Sequence, residues 1–312
     1  MTKNILITGG AGYIGSVLIK LLLDEGYAVR VLDHFHFNQN SLLDCCNNDN
    51  LEIIRGDVRD PDVLKKSLEH MDVIIHLAAL VGFPQCAKDT VGAKTTNLDA
   101  VRTLLSLRKP NQKILFPCTN SGYGVGGAGT LCTEETPLNP ISLYGTTKVE
   151  AEKAILESGN SITFRLATVF GVSPRMRTDL LVNDFVYRAI RDKYIVLFEG
   201  HFKRNFIHVR DVARAFLHGI KNFDTMKNEP YNVGLSDANL SKIELCEKIK
   251  THLPDFIFMK SEINKDPDQR NYIVSNEKIE STGFKPQYSL DYGIKELMRS
   301  YAVLDQPHNS NV

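Results

Sequence analysis

The sequence lacks the features that would tie the protein to a membrane, a nucleic acid or a metal ion. No apolar run reaches the roughly 18 residues that a membrane helix needs. Basic and acidic residues both number 37 in a chain of 312 residues, so no charge excess suggests a nucleic-acid partner. The six cysteines show no CxxC spacing, and Cys45 and Cys46 are neighbours. This pattern favours reduced thiols in a cytoplasmic protein over a zinc site or a disulfide framework.

The chain does contain short β-rich runs that alternate with amphipathic helical segments. Because the start, MTKNILITGG, turns polar and glycine-rich after about five residues, it predicts a first strand and not a signal peptide. The alternation predicts an α/β fold with a doubly wound parallel sheet, and the length allows an appended lobe. A helix is expected to start at Asp211, capped by its carboxylate, and Ser241 and Glu244 form a capping box. The predicted strands cover residues 4–8, 28–32, 51–54, 72–77, 113–117, 161–165 and 231–234.

A glycine-rich turn, TGGAGYIGS at 8–16, stands between the first strand and the first helix. Gly9 would permit the tight turn, Gly12 would let the backbone approach a pyrophosphate, and Gly15 would let the helix pack closely. The helix start, including Tyr13 and Ile14, then offers N–H groups to phosphates. Any tight turn into a helix can use glycines, but this context favours a dinucleotide site.

Acidic residues follow the second and third predicted strands. Asp33 lies where a carboxylate accepts hydrogen bonds from both ribose hydroxyls of NAD and repels the 2′-phosphate of NADP. His34 follows it, where an NADP enzyme often has arginine. In the GDV stretch, Asp57 and Val58 are assigned to the adenine end of the cofactor. Capping of the next helix is the alternative for Asp57.

Tyr144 and Lys148 are four residues apart, so on a helix they share one face. A free tyrosine titrates near 10 and is a poor base at neutral pH. The ammonium group of Lys148, together with the charge of an oxidised nicotinamide, is expected to lower the pKa of Tyr144, so that the phenolate takes a proton from a substrate hydroxyl. The pair is common on surface helices, and only together with the glycine turn does it point to catalysis.

The chain resembles the extended short-chain dehydrogenase/reductases of the nucleotide-sugar epimerase/dehydratase family. The resemblance lies in six stretches that occur in the same order as in the family: TGGAGYIG, GDV, HLAA (76–79), YGTTK, RNFIHVRD and YNVG. The resemblance implies a Rossmann-like NAD domain over 1–167, completed by about 204–236. It also implies a nucleotide-sugar lobe over 168–203 and 237–301, followed by a tail over 302–312. It assigns Leu77, Ala78 and Ala79 to the cofactor, and Thr119 to the reacting hydroxyl.

The two residues after Thr119 distinguish reactions within that family. In its 4,6-dehydratases, an aspartate and a glutamate follow this threonine and remove water. Here the positions hold Asn120 and Ser121, which cannot shuttle a proton at neutral pH as a carboxyl can. In the 3,5-epimerase/reductases a cysteine takes the second position, whereas Cys118 lies three residues too early. We therefore expect C4 oxidation without dehydration.

The resemblance also implies a set of substrate contacts. Arg204 and Asn183 are expected to bind the diphosphate, and Thr168 replaces a sugar-facing asparagine. Arg175, with Arg177, is predicted to reach phosphate or sugar, or else to lie in a solvated loop. The remaining predicted substrate contacts are Val81, Asn120, Ser121 and Arg270, the last as a loose match to a C-terminal phosphate-binding arginine.

The resulting prediction is an NAD-dependent oxidoreductase that acts on C4 of a nucleotide-diphosphate sugar. A 4-epimerase would use the same residues, and a non-catalytic NAD-binding sensor or assembly subunit is the alternative from another class. A finer similarity to GDP-heptose 4-dehydrogenases of capsule biosynthesis comes from LAALVGFPQC, CTNSGYG and SPRMRTDLLVNDF. Apolar stripes in 97–108 and 144–157 predict a homodimer, unless both stripes pack within the monomer.

Overall fold

A seven-stranded parallel sheet forms the centre of the protein, which a computed structural model describes over residues 3–126, 129–261 and 270–304. The strand order is β11-β7-β5-β4-β1-β2-β3, with a topological switch between β1 and β4. The predicted doubly wound fold is confirmed, and each predicted strand belongs to this sheet. Its strands are β1 (Asn4–Thr8), β2 (Ala28–Asp33), β3 (Leu51–Arg55), β4 (Val73–His76), β5 (Lys113–Thr119), β7 (Ser161–Leu166) and β11 (Glu229–Val233).

Helices cover both faces of the sheet. Successive side chains of β1 therefore enter different cores: Ile5 and Ile7 pack in one apolar cluster and Leu6 in the other. The helices are α1 (Tyr13–Asp24), α2 (Pro61–Ser67), α3 (Phe83–Lys88), α4 (Thr90–Lys94), α5 (Ala100–Leu107), α6 (Leu143–Glu157), α7 (Leu181–Arg191), α8 (Val209–Lys221), α9 (Phe223–Met226), α10 (Lys242–Lys250), α11 (Glu277–Ser281) and α12 (Leu290–Ser300). A π-helix, Thr95–Asp99, precedes α5.

Smaller sheets build the rest of the structure. They are β12-β10-β8, β13-β9 and β14-β6. Their strands are β6 (Leu131–Cys132), β8 (Thr168–Phe170), β9 (Tyr194–Phe198), β10 (Lys203–His208), β12 (Asn239–Ser241), β13 (Ile257–Ser261) and β14 (Ile273–Val274). Of the predicted tail, residues 305–312 lie outside the described residues.

The helix expected to start at Asp211 begins earlier. His208 is the N-cap of α8, and its Nδ1 accepts a hydrogen bond from the amide of Arg210. Asp211 is buried inside the first turn, where its carboxylate accepts from the amides of Gln287 and Tyr288. The predicted capping role of Asp211 is wrong because this carboxylate ties a later loop to α8. The capping box of Ser241 and Glu244 is confirmed.

The apolar stripes predicted to pair across a dimer are largely used within one chain. Val101 and Leu104 of α5 pack in the same cluster as Ala151 and Ile155 of α6. Packing within the monomer therefore accounts for these four side chains, and the homodimer remains a prediction. Among the described residues, no helix is both long and apolar enough to cross a membrane.

Candidate active site

A cavity of about 430 Å³ opens at the carboxyl ends of the central strands. This is the edge at which open parallel sheets bind ligands. The predicted cofactor and catalytic residues in its wall are Gly9, Gly12, Tyr13, Ile14, Gly15, Asp33, Asp57, Val58, Leu77, Ala78, Ala79, Thr119, Tyr144 and Lys148. The predicted substrate residues in its wall are Val81, Ser121, Thr168, Arg175 and Arg270.

The turn after β1 has two positions that only glycine can occupy. Gly9 has a φ of +68°, and a Cβ there would lie 2.6 Å from the amide nitrogen of Ala78. A Cβ on Gly15 would lie 2.4 Å from the carbonyl oxygen of Gly10. Because Gly15 has no side chain, α1 can pack directly against the turn. The N-cap of α1, Gly12, supplies no side-chain cap. The start of α1 therefore offers backbone N–H groups to an anion.

Asp33 holds this turn in shape from the end of β2. One carboxylate oxygen accepts from the amide of Ala11 at 3.0 Å, and the other accepts from Phe35 at 2.8 Å. The side chain is buried and still lines the cavity. The neighbouring His34 imidazole has a raised pKa because of its hydrogen bond to Asp33. These residues fit the adenosine half of a dinucleotide such as NAD.

Asp57 lies farther along the same wall. Its carboxylate pairs with Arg59 at 2.5 Å, and this hydrogen bond lowers its pKa. Asp60, and not Asp57, caps α2 by accepting from the amides of Asp62 and Val63. The capping alternative for Asp57 is therefore wrong.

Thr119, Tyr144 and Lys148 line the same cavity. Thr119 ends β5, and its hydroxyl donates to the Ser121 hydroxyl at 3.0 Å. Tyr144 and Lys148 both lie on α6. The N-cap of this helix is Ser142, whose side chain accepts a hydrogen bond from the amide of Gly145. The three side chains thus come from two adjacent elements whose ends meet at the cavity.

In the chain without a cofactor, burial is the largest influence on the pKa values of both Tyr144 and Lys148. Burial raises the pKa of Tyr144 above its ordinary value, and Arg177 and Arg270 act in the opposite direction. Burial lowers the pKa of Lys148 to about 8. Its Nζ lies 3.8 Å from the centroid of the Phe116 ring. Lys148 is thus directed at an aromatic face, and it does not figure among the groups that lower the pKa of Tyr144.

Three predicted substrate residues lie outside the wall. Asn120 is fully buried, and within the described part of the chain its amide has no hydrogen-bond partner. The amide of Asn183 accepts from the Gly171 N–H and donates to the Arg177 carbonyl. Arg204 lies over the Tyr272 ring, which is itself in the wall. These three side chains therefore stay outside the cavity wall, and their substrate contacts remain predictions.

Arginines line the substrate half of the cavity. Arg175 and Arg177 are both buried, so the solvated-loop alternative is wrong. Arg177 pairs with Asp179, and Arg175 lies over the Phe37 ring. Arg270 donates to the hydroxyl of Ser121, 149 residues away in sequence. These arginines thus place positively charged groups in the cavity wall.

The sequence analysis missed Asn97, which holds one wall of the cavity in place. Its side chain accepts from the Leu80 amide at 2.8 Å and donates to the Leu80 carbonyl at 2.9 Å. It lies on the π-helix, a distortion frequent at functional sites. No local pattern in the sequence indicated this clamp. Within the described residues, no group of three His, Cys, Asp or Glu side chains could hold a metal ion.

Comparisons with known proteins find relatives that match nearly the whole chain. The profile of the NAD dependent epimerase/dehydratase family matches residues 5–234. A putative UDP-glucose 4-epimerase of Methanocaldococcus jannaschii is 29% identical over 309 residues, covering 94% of this chain and 97% of its own. The NAD complex of dTDP-glucose 4,6-dehydratase from Bacillus anthracis has a TM-score of 0.83 at 26% identity, covering 97% of both chains. UDP-N-acetylglucosamine 4-epimerase of Methanobrevibacter ruminantium has a TM-score of 0.85 at 25% identity, covering 97% and 99%.

Proposed function

Because the chain belongs to the NAD-dependent epimerase/dehydratase family, we propose that it oxidises the C4 hydroxyl of a nucleotide-diphosphate sugar. The observation that supports this proposal most directly is that Thr119, Tyr144 and Lys148 line the same cavity as the glycine turn and Asp33. A non-catalytic NAD-binding protein would have no need for all three side chains in that wall.

Tyr144 is the proposed base. In the chain alone its phenol keeps the proton, because burial raises its pKa. Bound NAD supplies the hydride acceptor and a positive charge. Lys148, with its pKa near 8, can hold or release a proton close to neutral pH. Its lowered pKa supports a role in passing on the proton that Tyr144 takes from the sugar.

Thr119 is the proposed partner of the same sugar hydroxyl. Its own proton is donated to Ser121, and its oxygen accepts from the Ser121 amide at 3.1 Å. A hydroxyl oxygen has two acceptor sites, so one remains for the C4 hydroxyl of the sugar. This arrangement supports a role for Thr119 in orienting the reacting hydroxyl toward Tyr144.

Water loss has no evident acid or base beside Thr119. Ser121 contacts the guanidinium of Arg270, a group that stays protonated. Asn120 is buried and carries no titratable group. This supports oxidation without dehydration, although the structural relatives include 4,6-dehydratases.

A 4-epimerase is the second candidate, and it is supported by relatives that are themselves named 4-epimerases. It would return hydride to the opposite face of the same keto sugar. For the substrate, we propose a GDP-heptose type from the three stretches noted above, with Arg175 and Arg270, both in the cavity wall, as its binding arginines. Residues 97–108 and 144–157 remain the proposed homodimer contact.

The experiment is incubation of the protein and NAD with a panel of GDP-, UDP- and CDP-sugars, followed by NADH absorbance and mass spectrometry. Tyr144→Phe should lower turnover by about 10²–10⁴-fold while NAD still binds. Tyr27→Phe is the matched control, since Tyr27 is outside the cavity wall. Near-normal turnover by Tyr144→Phe would show that Tyr144 is not the base. Absence of turnover with every sugar would favour the non-catalytic alternative.

A further inference from the structure

Tyr13 begins the helix that follows the glycine turn, but the hydroxyl of its buried side chain bonds to residues far away in sequence. This hydroxyl donates a hydrogen bond to the carbonyl of Gly171 at 2.6 Å and accepts one from the side-chain amide of Asn183 at 3.3 Å. The two partners come 158 and 170 residues later in the chain. Since Gly171 follows β8 and Asn183 lies on α7, the phenol of Tyr13 connects the start of α1 to two elements outside the central sheet.

A second anchor joins Tyr13 to the same part of the chain through its main chain. The hydroxyl of Ser173 donates to the carbonyl of Tyr13 at 2.7 Å and lies 3.0 Å from the hydroxyl of Ser16. The same hydroxyl accepts from the amide of Arg175 at 3.3 Å. Because all these contacts are buried, water does not readily replace a hydrogen bond that is lost here.

The anchored segment, residues 171–177, carries two arginines of the cavity wall. Arg175 and Arg177 are both buried, and both line the cavity. Asn183 holds the two ends of the segment, since its side chain accepts from the Gly171 amide at 3.0 Å and donates to the Arg177 carbonyl at 2.8 Å. The positions of both arginines therefore depend on hydrogen bonds made by residues outside the wall.

We propose that Tyr13 is a positioning residue for the sugar nucleotide, and that it acts through residues 171–177 on Arg175 and Arg177. This inference rests on the proposed function, in which Arg175 binds the sugar nucleotide. An arginine binds two phosphate oxygens at once only when its planar fork is correctly oriented, so a shift of its main chain weakens the contact. Tyr13 thus serves both ligands. Its amide belongs to the helix start that offers N–H groups to the cofactor, and its phenol orders the segment that carries the arginines.

The alternative is that these hydrogen bonds stabilise the fold and do nothing else. Phenylalanine at position 13 keeps the main chain and the ring, so the amide offered to the cofactor stays and the two hydrogen bonds of the hydroxyl are lost. Their loss lowers the free energy of unfolding in either case. Only the positioning role also lowers the affinity for a nucleoside diphosphate.

Titration calorimetry of the full chain with GDP, UDP and CDP, each in the presence of saturating NAD, separates the two cases. Tyr13→Phe should raise the dissociation constant of the nucleoside diphosphate that binds about three- to tenfold. A separate titration with NAD should give an unchanged dissociation constant. Tyr231→Phe is the matched control, because it removes the hydroxyl of another buried tyrosine, one outside the cavity wall.

Urea unfolding of the same variants measures the stability. An unchanged affinity for the nucleoside diphosphate in Tyr13→Phe would overturn the proposal, whether or not the stability falls. An equal loss of affinity for NAD would also overturn it, because a general loosening of the glycine turn would then explain both losses.

A second variant acts on the same segment without changing the cavity wall. Ser173→Ala removes the hydrogen bond to the Tyr13 carbonyl and the one from the Arg175 amide, and Ser173 lies outside the wall. It should also weaken the nucleoside diphosphate and leave NAD binding unchanged, which keeps the proposal testable if Tyr13→Phe does not fold. If none of the three diphosphates binds the wild-type chain, the proposed function fails and this inference fails with it. If one of them binds the wild-type chain and both variants equally well, the positioning role alone is wrong.

Discussion

Replacing Asp33 by Asn should change both the cofactor preference and the stability. The carboxylate lines the cavity, and we predict that it faces the ribose of the cofactor. At an effective dielectric of about 20, a unit negative charge about 5 Å from it is disfavoured by about 3 kcal/mol. That corresponds to roughly 100-fold in a dissociation constant. The wild-type chain should therefore bind NAD at least roughly 100-fold more tightly than NADP, and Asp33→Asn should remove most of this gap.

The stability change follows from the two backbone contacts of Asp33. Its two oxygens accept from Ala11 and Phe35 separately. Asparagine has one oxygen, so one buried N–H loses its acceptor, at a cost of about 1–3 kcal/mol. Serine is too short to serve either N–H, which makes asparagine the better substitution.

Titration calorimetry with NAD and NADP measures the preference, and urea unfolding measures the stability. The titrations should all be done at one fixed pH, because the pKa of His34 is raised by its hydrogen bond to Asp33 and its titration changes the charge beside that carboxylate. Asp44→Asn, an exposed change outside the cavity wall, is the control for net charge. An unchanged preference in Asp33→Asn would refute the role of Asp33 in cofactor choice.

Three further predictions concern the same cavity. Burial lowers the pKa of Lys148 from 10.5 to about 8, so between these values the unfolded chain keeps a proton that the folded chain loses. Its contribution to stability should rise by about 3 kcal/mol across that range, and urea unfolding of Lys148→Met should lack this rise. Gly15→Ala places a Cβ 2.4 Å from the Gly10 carbonyl and should weaken NAD binding at least roughly tenfold by calorimetry. Gly159→Ala is the control: its φ of +68° strains an alanine, but no atom lies within 4 Å of the added Cβ, so it should lower the stability and leave NAD binding unchanged. Arg270→Gln should raise KM for the sugar nucleotide more than it lowers kcat; an unchanged KM would remove Arg270 from the substrate site.

Much of the fold could be predicted because its signals are local. Each central strand is a short apolar run, and the glycine turn between β1 and α1 spans residues 8–16. The four-residue spacing also placed Tyr144 and Lys148 on one helix, α6. Spacing did not give the direction of the Lys148 side chain, which packs on Phe116 from β5.

What could not be predicted depends on residues far apart in sequence. Asp211 looks like a helix cap, but its partners, Gln287 and Tyr288, come from a loop more than 70 residues later. Arg270 and Ser121 meet across 149 residues. The clamp of Asn97 on Leu80 needs the π-helix, which no periodic pattern announces.

The mass of the product tests the central claim most directly. Incubation of the wild-type chain and NAD with its sugar nucleotide should give a product that keeps the mass of the substrate or loses two hydrogens. The first result corresponds to epimerisation and the second to release of the 4-keto sugar. A product that has lost one water, a 6-deoxy-4-keto sugar, would contradict the account, because it would require an acid and a base that Asn120 and Ser121 cannot provide.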